Sequence, residues 1–350
     1  MAVFSDFDRL LVIAPNFKRR LSGVTSTIIQ LVPEQARQGL AIATLGPGLP
    51  DHLPKLRFRD LWRLWKRPID GRKRIWHARR NTEMVGGIIL RDGLRMPLKL
   101  VFTSASQRHH RRFTKWLISR MDHVIATSAK TAGYLERDCT VIMHGIDTER
   151  FSPPHDKRAA KVAVGLDPDS AYIGCFGRIR PSKGTDIFVD AMQQVLPEAP
   201  GWQAVIAGRA TEKFLHFERE LKQRAATEQT ARRVHFVGEH TDIERWYQAM
   251  DLFVAPQRWE GFGLTPLEAM ACGVPVVATD TGAFATMVEP LSPQSVVPVD
   301  DCAALSAAIS AAIANPMSGT DVSRFVRDNF ALSVEAKAIN GVYDRLAKLS

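Results

Sequence analysis

One stretch of the sequence, residues 252–273, constrains the fold more than any other. It opens with four apolar residues, Leu252–Ala255, which predict a buried strand. A loop with two glycines follows, and Pro266 predicts the first turn of a helix, the place where proline is best tolerated. Gly273 ends this helix, and a Val-Pro pair prevents its continuation. Such a strand, loop and helix let backbone amides approach a ligand and favour negative charge at the helix end.

Two carboxylates flank this loop, Glu260 and Glu268, with seven residues between them. Thr265 precedes the helix as a predicted N-cap, and Thr-x-x-Glu is a capping box, which would account for Glu268 without any ligand. Glu260 lies before the loop, where it caps nothing. The spacing therefore leaves Glu268 open between a capping and a binding role, and it makes Glu260 a candidate ligand-binding residue.

Residues 260–278 resemble the motif of retaining, nucleotide-sugar-dependent glycosyltransferases of family 4. The resemblance implies an α/β chain of the GT-B fold, in which two Rossmann-like parallel-sheet domains face a central cleft. It also implies that Glu260 contacts the transferred sugar and that Glu268 binds the nucleotide ribose. The amides of the intervening loop would hold sugar hydroxyls and phosphate, namely those of Gly261, Phe262, Gly263, Leu264 and Thr265.

A second motif begins the other half of the chain, where an apolar run is followed by Gly177, Arg178, Lys183 and a helix with a predicted cap at Thr185 or Asp186. Two cations that converge on a helix N-terminus suit a phosphate group. The run resembles the family's Gly-Arg-(four residues)-Lys-Gly motif, whose cations bind the donor diphosphate. The same resemblance adds three donor-binding candidates at predicted strand or helix ends: Gly23, Gly208 and Glu239.

The acceptor candidates follow a predicted strand at 98–103, where the family often carries a histidine beside the sugar. This sequence has a threonine there, and the polar candidates are Thr103, Ser104, Arg108 and His109. Residues 74–81 and 99–108 resemble a subgroup of lipopolysaccharide core mannosyltransferases from Gram-negative bacteria. That resemblance implies GDP-mannose as donor and an acidic Kdo sugar on a lipid A precursor as acceptor. No base-reading residue is visible, so a UDP-sugar donor with another glycolipid or polysaccharide acceptor stays open.

Positive charge is concentrated in the first part of the chain. Residues 1–150 contain 27 Lys and Arg against 13 Asp and Glu, whereas the remainder contains 20 against 24. Basic side chains at 55–80 alternate with Phe58, Trp62, Trp65 and Trp76. This segment predicts either a helix with a packed apolar stripe and a solvated basic face, or a surface for an anionic membrane. Nucleic acid would attract the same residue types, but no nucleic-acid motif accompanies them, so we expect no nucleic-acid partner.

The length of 350 residues predicts two domains. We expect an N-terminal acceptor domain at 1–152, a nucleotide-sugar donor domain at 153–332, and a final helix at 333–350 that packs back on the first domain. No apolar run is long enough to span a membrane, and the N-terminus lacks a signal pattern. Four scattered cysteines favour reduced thiols. These features predict a cytoplasmic protein that is peripheral on the cytoplasmic face of the inner membrane.

The expected chemistry breaks an anomeric carbon–oxygen bond with a nucleoside diphosphate as leaving group. Arg178, Lys183 and the loop amides would stabilise the negative charge on the departing phosphate, and Glu260 would position the sugar. The resemblance implies a nucleotide-sugar co-substrate but no cofactor and no metal, since such cations replace the metal in most GT-B enzymes. Two Asp-x-Asp triplets, Asp6/Asp8 and Asp167/Asp169, are placed in predicted loops and are not expected to bind a metal. Two other classes stay open: a non-catalytic protein that uses its basic segment on nucleic acid or membrane, and a sugar-nucleotide epimerase.

Overall fold

The computed structural model describes residues 6–19, 23–227 and 230–348, and it divides them into two compact units. Unit 1 comprises residues 1–145 and 332–350, and unit 2 comprises residues 146–331. The division therefore follows Gly145 and Ala331, rather than residues 152 and 332. Ile146 belongs to unit 2 because its amide donates to the Phe330 carbonyl and it forms a parallel bridge with Ala331.

Unit 1 is built on a parallel sheet of seven strands in the order β3-β2-β1-β4-β5-β6-β7. The strands are β1 Val12–Pro15, β2 Ile42–Leu45, β3 Lys55–Leu56, β4 Arg74–Ala78, β5 Leu98–Ser104, β6 His123–Ala126 and β7 Thr140–Val141. The helices that precede unit 2 are α1 Gly23–Arg37, α2 Asn81–Ile88, α3 Arg112–Ser119 and α4 Ala129–Gly133. The central strands β1 and β4 are buried along their whole length, as is typical of a parallel sheet, although β4 includes the polar residues Arg74 and His77.

Unit 2 contains a parallel sheet of six strands in the order β10-β9-β8-β11-β12-β13. The strands are β8 Ala171–Phe176, β9 Trp202–Ala207, β10 Val234–Gly238, β11 Leu252–Ala255, β12 Val276–Thr279 and β13 Val296–Val297. The helices are α5 Lys157–Ala163, α6 Thr185–Glu198, α7 Leu215–Ala225, α8 Ile243–Ala249, α9 Thr265–Ala271, α10 Phe284–Val288, α11 Cys302–Ala314 and α12 Gly319–Phe330. The apolar residues of α6 and α11 form one core with the sheet.

After unit 2 the chain returns to unit 1 as helix α13, Leu332–Lys348. Its buried face includes Ile339, Val342 and Tyr343, which share an apolar cluster with α1 and with one face of the unit 1 sheet. His144, at the end of the first segment of unit 1, lies with its Nδ1 2.9 Å from Glu335 Oε1 on the same helix. Both apolar and polar contacts thus join α13 to unit 1.

The basic, tryptophan-rich segment differs from the packed helix that its spacing allowed. Residues Phe58–Trp65 form a 3₁₀ helix in which Leu64 is buried, whereas Trp62 is 64% exposed and Trp65 is 51% exposed. Not all of its cations are solvated. Arg74 is buried, and its guanidinium donates to the carbonyl oxygens of Leu10 and Phe7 at 3.0 and 3.1 Å. The apolar stripe is therefore largely a surface feature, and part of the basic series is internal.

Two helix starts also differ from the predicted caps. Helix α9 begins at Thr265 with Leu264 as its N-cap, because the Glu268 amide donates to the Leu264 carbonyl. Thr265 is therefore inside the helix, and the predicted capping box with Glu268 is wrong. Helix α6 is capped by Gly184 in the left-handed conformation, so neither Thr185 nor Asp186 caps it.

No single helix within residues 6–19, 23–227 and 230–348 is long and apolar enough to cross a membrane. The bent pair of α11 and α12 would meet those criteria in length and composition.

Candidate active site

The sheet of unit 2 reverses its strand order between β8 and β11. Strands β9 and β10 extend from β8 on one side, and β12 and β13 extend from β11 on the other. Connections at such a switch point leave in opposite directions, which opens a crevice at the carboxyl ends of the two strands. The loops that follow β8 and β11 carry both sequence motifs, so the fold brings them to one place.

The two loops are joined by direct contacts. The Arg258 guanidinium forms a two-point ion pair with the Asp186 carboxylate at 2.8 and 2.9 Å, and the Arg258 amide donates to the Ser182 carbonyl. Gly184 has a φ of +67°, and a Cβ built on it would lie 1.8 Å from the Pro256 carbonyl oxygen. Only glycine therefore allows this approach of the two loops, and Arg258 fixes it.

Lys183 and Glu260 meet at this crevice. The Lys183 ammonium contacts the Glu260 carboxylate as an ion pair, and the two side chains are 19% and 21% exposed. The other Glu260 oxygen accepts a hydrogen bond from the Gly261 amide at 3.2 Å. A cation and an anion are thus held together where a ligand can reach both.

Arg178 lies on the same loop as Lys183 and is exposed, and within the described residues its side chain makes no hydrogen bond or ion pair. It follows Gly177, which has a φ of +140°. Gly208, at the end of β9, packs so closely that a Cβ there would lie 1.9 Å from the Gly177 carbonyl oxygen. The predicted residues Gly177, Arg178 and Gly208 therefore share one edge of the sheet.

The glycine loop after β11 is held by packing from α10. Gly263 has a φ of +85°, and a Cβ on it would lie 2.2 Å from the Phe284 ring and 2.8 Å from Glu260 Cγ. Phe262 is buried, and its carbonyl accepts a hydrogen bond from the Ala283 amide at 3.0 Å. Because this backbone is fixed, its amides are preorganised rather than free to follow a ligand.

Glu268 faces Tyr247 instead of the start of its own helix. The Tyr247 hydroxyl donates to Glu268 Oε2 at 2.7 Å. Burial raises the pKa of Glu268, and burial together with the neighbouring carboxylate raises the pKa of Tyr247 well above its usual value. A hydroxyl donor thus contacts a half-buried carboxylate, and no sequence motif marks Tyr247 as its partner.

For the other two donor candidates, Glu239 and Gly23, the structure gives a position but, within the described ranges, no contact with the site residues named above. Glu239 follows β10 and is exposed. Gly23 is the first residue of α1 in unit 1, and the three residues before it lie outside the described part of the chain.

The acceptor candidates lie in unit 1, at and after the end of β5. The Thr103 hydroxyl is 2.6 Å from Nε2 of His77, a buried residue of β4, and Nδ1 of His77 contacts the Tyr343 hydroxyl. Burial, aided by the charge of Arg79, lowers the pKa of His77 well below its usual value. Ser104 is buried, whereas the exposed His109 packs edge-on against Tyr134. Arg108 is also exposed.

His77 was not among the predicted site residues. Its position inside a buried strand, between Trp76 and Ala78, is the signal that could have identified it, because a buried imidazole needs hydrogen-bond partners.

Comparisons with known proteins identify the family and the fold of the chain. The family model of group 1 glycosyl transferases matches residues 170–315, which lie in unit 2. The lipopolysaccharide core biosynthesis mannosyltransferase LpsB of Rhizobium meliloti (strain 1021) is 58% identical over 349 residues, which cover 96% of this chain and 98% of LpsB. The chain belongs to the lipopolysaccharide core mannosyltransferases. This glycosyltransferase is also 52% identical over 339 residues to mannosyltransferase LpcC of Rhizobium leguminosarum bv. viciae, with 96% of each chain covered.

A solved structure shares the fold. Anabaena Alr3699/HepE in complex with UDP superposes with a TM-score of 0.80 at 20% identity, over 96% of this chain and 100% of that one. The GT-B architecture of two parallel-sheet α/β units is thereby confirmed. Family membership also identifies a hexosyltransferase and decides against the epimerase and the non-catalytic binding protein.

Proposed function

We propose that this glycosyltransferase moves mannose from GDP-mannose to an acidic Kdo sugar on a lipid A precursor, with retention of anomeric configuration. The observation that carries the donor half is the ion pair of Lys183 and Glu260 at the switch point of unit 2, with Arg178 exposed on the same loop as Lys183. Two cations beside fixed backbone amides suit the charge that grows on a departing diphosphate. The names and extent of the two rhizobial relatives support mannose and a lipopolysaccharide core acceptor.

In this proposal each site residue has one task. Arg178 and Lys183 bind the diphosphate, so no metal ion is needed to neutralise it. Glu260 binds the transferred sugar and steadies the positive charge that develops on it. Glu268 accepts hydrogen bonds from the ribose hydroxyls. The surrounding donor contacts come from Gly23, Gly177, Gly208, Glu239, Gly261, Phe262, Gly263, Leu264 and Thr265.

On the acceptor side, we propose contacts from the polar edge at Thr103, Ser104, Arg108 and His109. The excess of cations in residues 1–150 supports an anionic acceptor. It also supports a peripheral position on the cytoplasmic face of the inner membrane, where such a lipid-linked acceptor would be presented. A UDP-sugar donor is the second candidate, because no residue that distinguishes guanine from uracil is identified.

The test is a matrix of donors and acceptors. The protein is incubated with GDP-mannose, UDP-glucose or UDP-galactose, each with a Kdo-bearing lipid A precursor, the same lipid without Kdo, or no acceptor. We expect GDP release and a hexose-sized mass gain only with GDP-mannose and the Kdo lipid, and an NMR spectrum that shows the donor's anomeric configuration in the product. Transfer from a UDP-sugar but not from GDP-mannose would overturn the donor assignment. Equal transfer to the lipid with and without Kdo would overturn the acceptor assignment.

A further inference from the structure

Unit 1 has a switch point of its own, and two consecutive arginines lie at it. The strand order reverses between β1 and β4, so a crevice is expected where these strands end. Arg79 and Arg80 follow β4 directly at that edge. Both belong to the basic segment at 55–80, but their surroundings in the structure differ.

Arg80 is committed to the protein. Its side chain is 11% exposed and forms an ion pair with the fully buried Glu83 at 2.9 Å. The same guanidinium donates to Asn16 Oδ1 at 2.7 Å and to the Thr25 hydroxyl at 2.9 Å. Its charge is therefore balanced by a buried carboxylate, and its removal would leave that carboxylate uncompensated.

Arg79 has no such balance. Within the described residues, its guanidinium has no carboxylate within 4 Å, and its one hydrogen bond is a 3.5 Å contact with the His77 carbonyl. Its main chain is nevertheless fixed, because the Arg79 amide donates to Glu83 Oε2 at 2.8 Å. A partly exposed guanidinium is thus presented from a rigid backbone with its charge available.

A fixed hydroxyl is carried by the neighbouring strand at the same edge of the sheet. Ala78 pairs with Phe102 in the β4–β5 register, so the next residues, Arg79 and Thr103, are neighbours at the carboxyl edge of the sheet. The Thr103 hydroxyl is held by His77, and His77 is held by Tyr343. A planar guanidinium and an oriented hydroxyl on neighbouring strands at one sheet edge suit a ligand that carries a carboxylate close to a hydroxyl group.

We propose that Arg79 binds the carboxylate of the acidic acceptor sugar, with Thr103 bonding a neighbouring hydroxyl of the same sugar. This inference rests on the proposed function, and it names the residue that would recognise the acid. A carboxylate is favoured over a phosphate by charge, because only one of the two guanidinium groups is available and a phosphate carries about −1.5 to −2 at neutral pH.

The experiment compares two acceptors that differ only in the carboxyl group: the Kdo-bearing lipid A precursor and its carboxyl-reduced alcohol. We expect Arg79→Gln to lower kcat/KM for the carboxylate acceptor about 10- to 100-fold, the range for a lost hydrogen bond to a charged group. With the reduced acceptor, parent and variant should have nearly equal kcat/KM, and the donor KM should be unchanged. Arg79→Lys should recover part of the rate with the carboxylate acceptor, and it serves as the second variant if Arg79→Gln folds poorly.

Arg95→Gln is the matched control, since Arg95 is exposed in the turn before β5, at the opposite end of the strand from Thr103. It removes the same charge and should not distinguish the two acceptors. Both acceptors carry the same lipid phosphates, so an equal deficit of Arg79→Gln on the two would overturn the assignment of Arg79 to the carboxylate. If the parent protein transfers sugar to neither acceptor, the proposed function itself fails, and this inference falls with it.

Discussion

At the scale of single residues, the sequence motifs identified the partners but not their contacts. Lys183 and Glu260 are 77 residues apart, and both were predicted from local motifs. Their ion pair depends on the strand order of the sheet, which places β8 beside β11. Arg258, which joins the two loops, has no motif at all, because its role exists only after the sheet has formed.

The Lys183–Glu260 contact leads to a first prediction. Lys183→Ala should lower kcat/KM for the nucleotide sugar by about 10²- to 10³-fold, because one preorganised charge contact with the leaving group is lost. Steady-state kinetics with varied donor would measure it. Lys222→Ala is the matched control, since Lys222 also forms an ion pair in unit 2, with Glu218 at 2.8 Å, but on helix α7. Similar small losses in both variants would refute the phosphate assignment of Lys183.

Glu268 provides a prediction for the protein without ligand. Burial raises its pKa above the ordinary value of 4.5, so the folded protein holds this proton more tightly than the unfolded chain. The resulting stability is complete below pH 4.5 and is lost as the pH rises through the higher folded pKa. Glu268→Gln has no such loss, and its amide oxygen can still accept from Tyr247. Thermal unfolding from pH 4 to 8 should therefore show the Tm of the variant rising relative to that of the parent protein as the pH increases.

A second carboxyl group in unit 2, that of Glu218, has a pKa shifted in the opposite direction and serves as the control. Burial opposes ionisation of Glu218, but hydrogen bonds from Lys222 and the Ala210 amide outweigh it and lower the pKa of Glu218. The Tm of Glu218→Gln should therefore fall relative to that of the parent protein as the pH rises through the acidic range. Parallel pH trends in the two variants would contradict the account given for Glu268.

At the scale of elements, strand positions were predictable and some helix starts were not. Apolar runs located the central strands because parallel strands are buried on both faces. The N-cap of α4 follows the local preference for serine, since Ser128 accepts a hydrogen bond from the Thr131 amide. The predicted starts of α6 and α9 were wrong because tertiary contacts, at Gly184 and in the loop before Leu264, decide the backbone conformation there. A local pattern contains no information about such contacts.

Two hydrogen bonds of His77, one with Tyr343 and one with Thr103, connect α13, β4 and β5. Tyr343→Phe removes the hydrogen-bond partner that His77 Nδ1 has among the described residues and leaves a buried polar atom unsatisfied, which costs about 1–3 kcal/mol. We expect that loss in the free energy of unfolding, measured with urea, and a higher acceptor KM with an unchanged donor KM. Tyr134→Phe is the control, because within the described residues the Tyr134 hydroxyl makes no hydrogen bond, and its effect should stay within about 0.5 kcal/mol. A stability loss without any change in acceptor KM would limit Tyr343 to a structural role.

At the scale of the whole molecule, charge and exposed aromatic residues coincide in unit 1. Phe58, Trp62 and Trp65 are each more than half exposed, and Arg63, Lys66 and Arg67 lie among or just after them. Tryptophan and arginine favour the boundary between water and lipid, where an apolar body and a polar group are both accommodated. Composition left open whether the apolar residues of this segment would pack inside or face outward, and it could not show that Leu64 rather than the tryptophans would be buried.

The prediction at this scale concerns anionic vesicles. Replacing Arg63, Lys66 and Arg67 with Gln should weaken binding, since each cation near an anionic surface contributes about 1 kcal/mol. The effect should shrink as salt rises, because the Debye length is about 8 Å at physiological ionic strength. Vesicle co-sedimentation and the acceptor KM would measure it, with no change expected in the donor KM. Gln at Lys213, Arg219 and Arg232, three exposed cations of unit 2, is the charge-matched control. Equal binding by both triple variants would leave the segment without a membrane role.

The return of α13 to unit 1 has a consequence for the order of events during synthesis. The first segment of unit 1 emerges from the ribosome before unit 2, but one face of its sheet is covered by α13, which is made only after residue 331. At about 5–20 residues per second, the intervening 146–331 would take about 10–40 s to translate. During that interval the apolar surface around Ile28, Leu31 and Val101 lacks its final cover. Unit 2, which is continuous in sequence, can complete its own fold first, so the nascent chain would need a chaperone mainly for its earlier half.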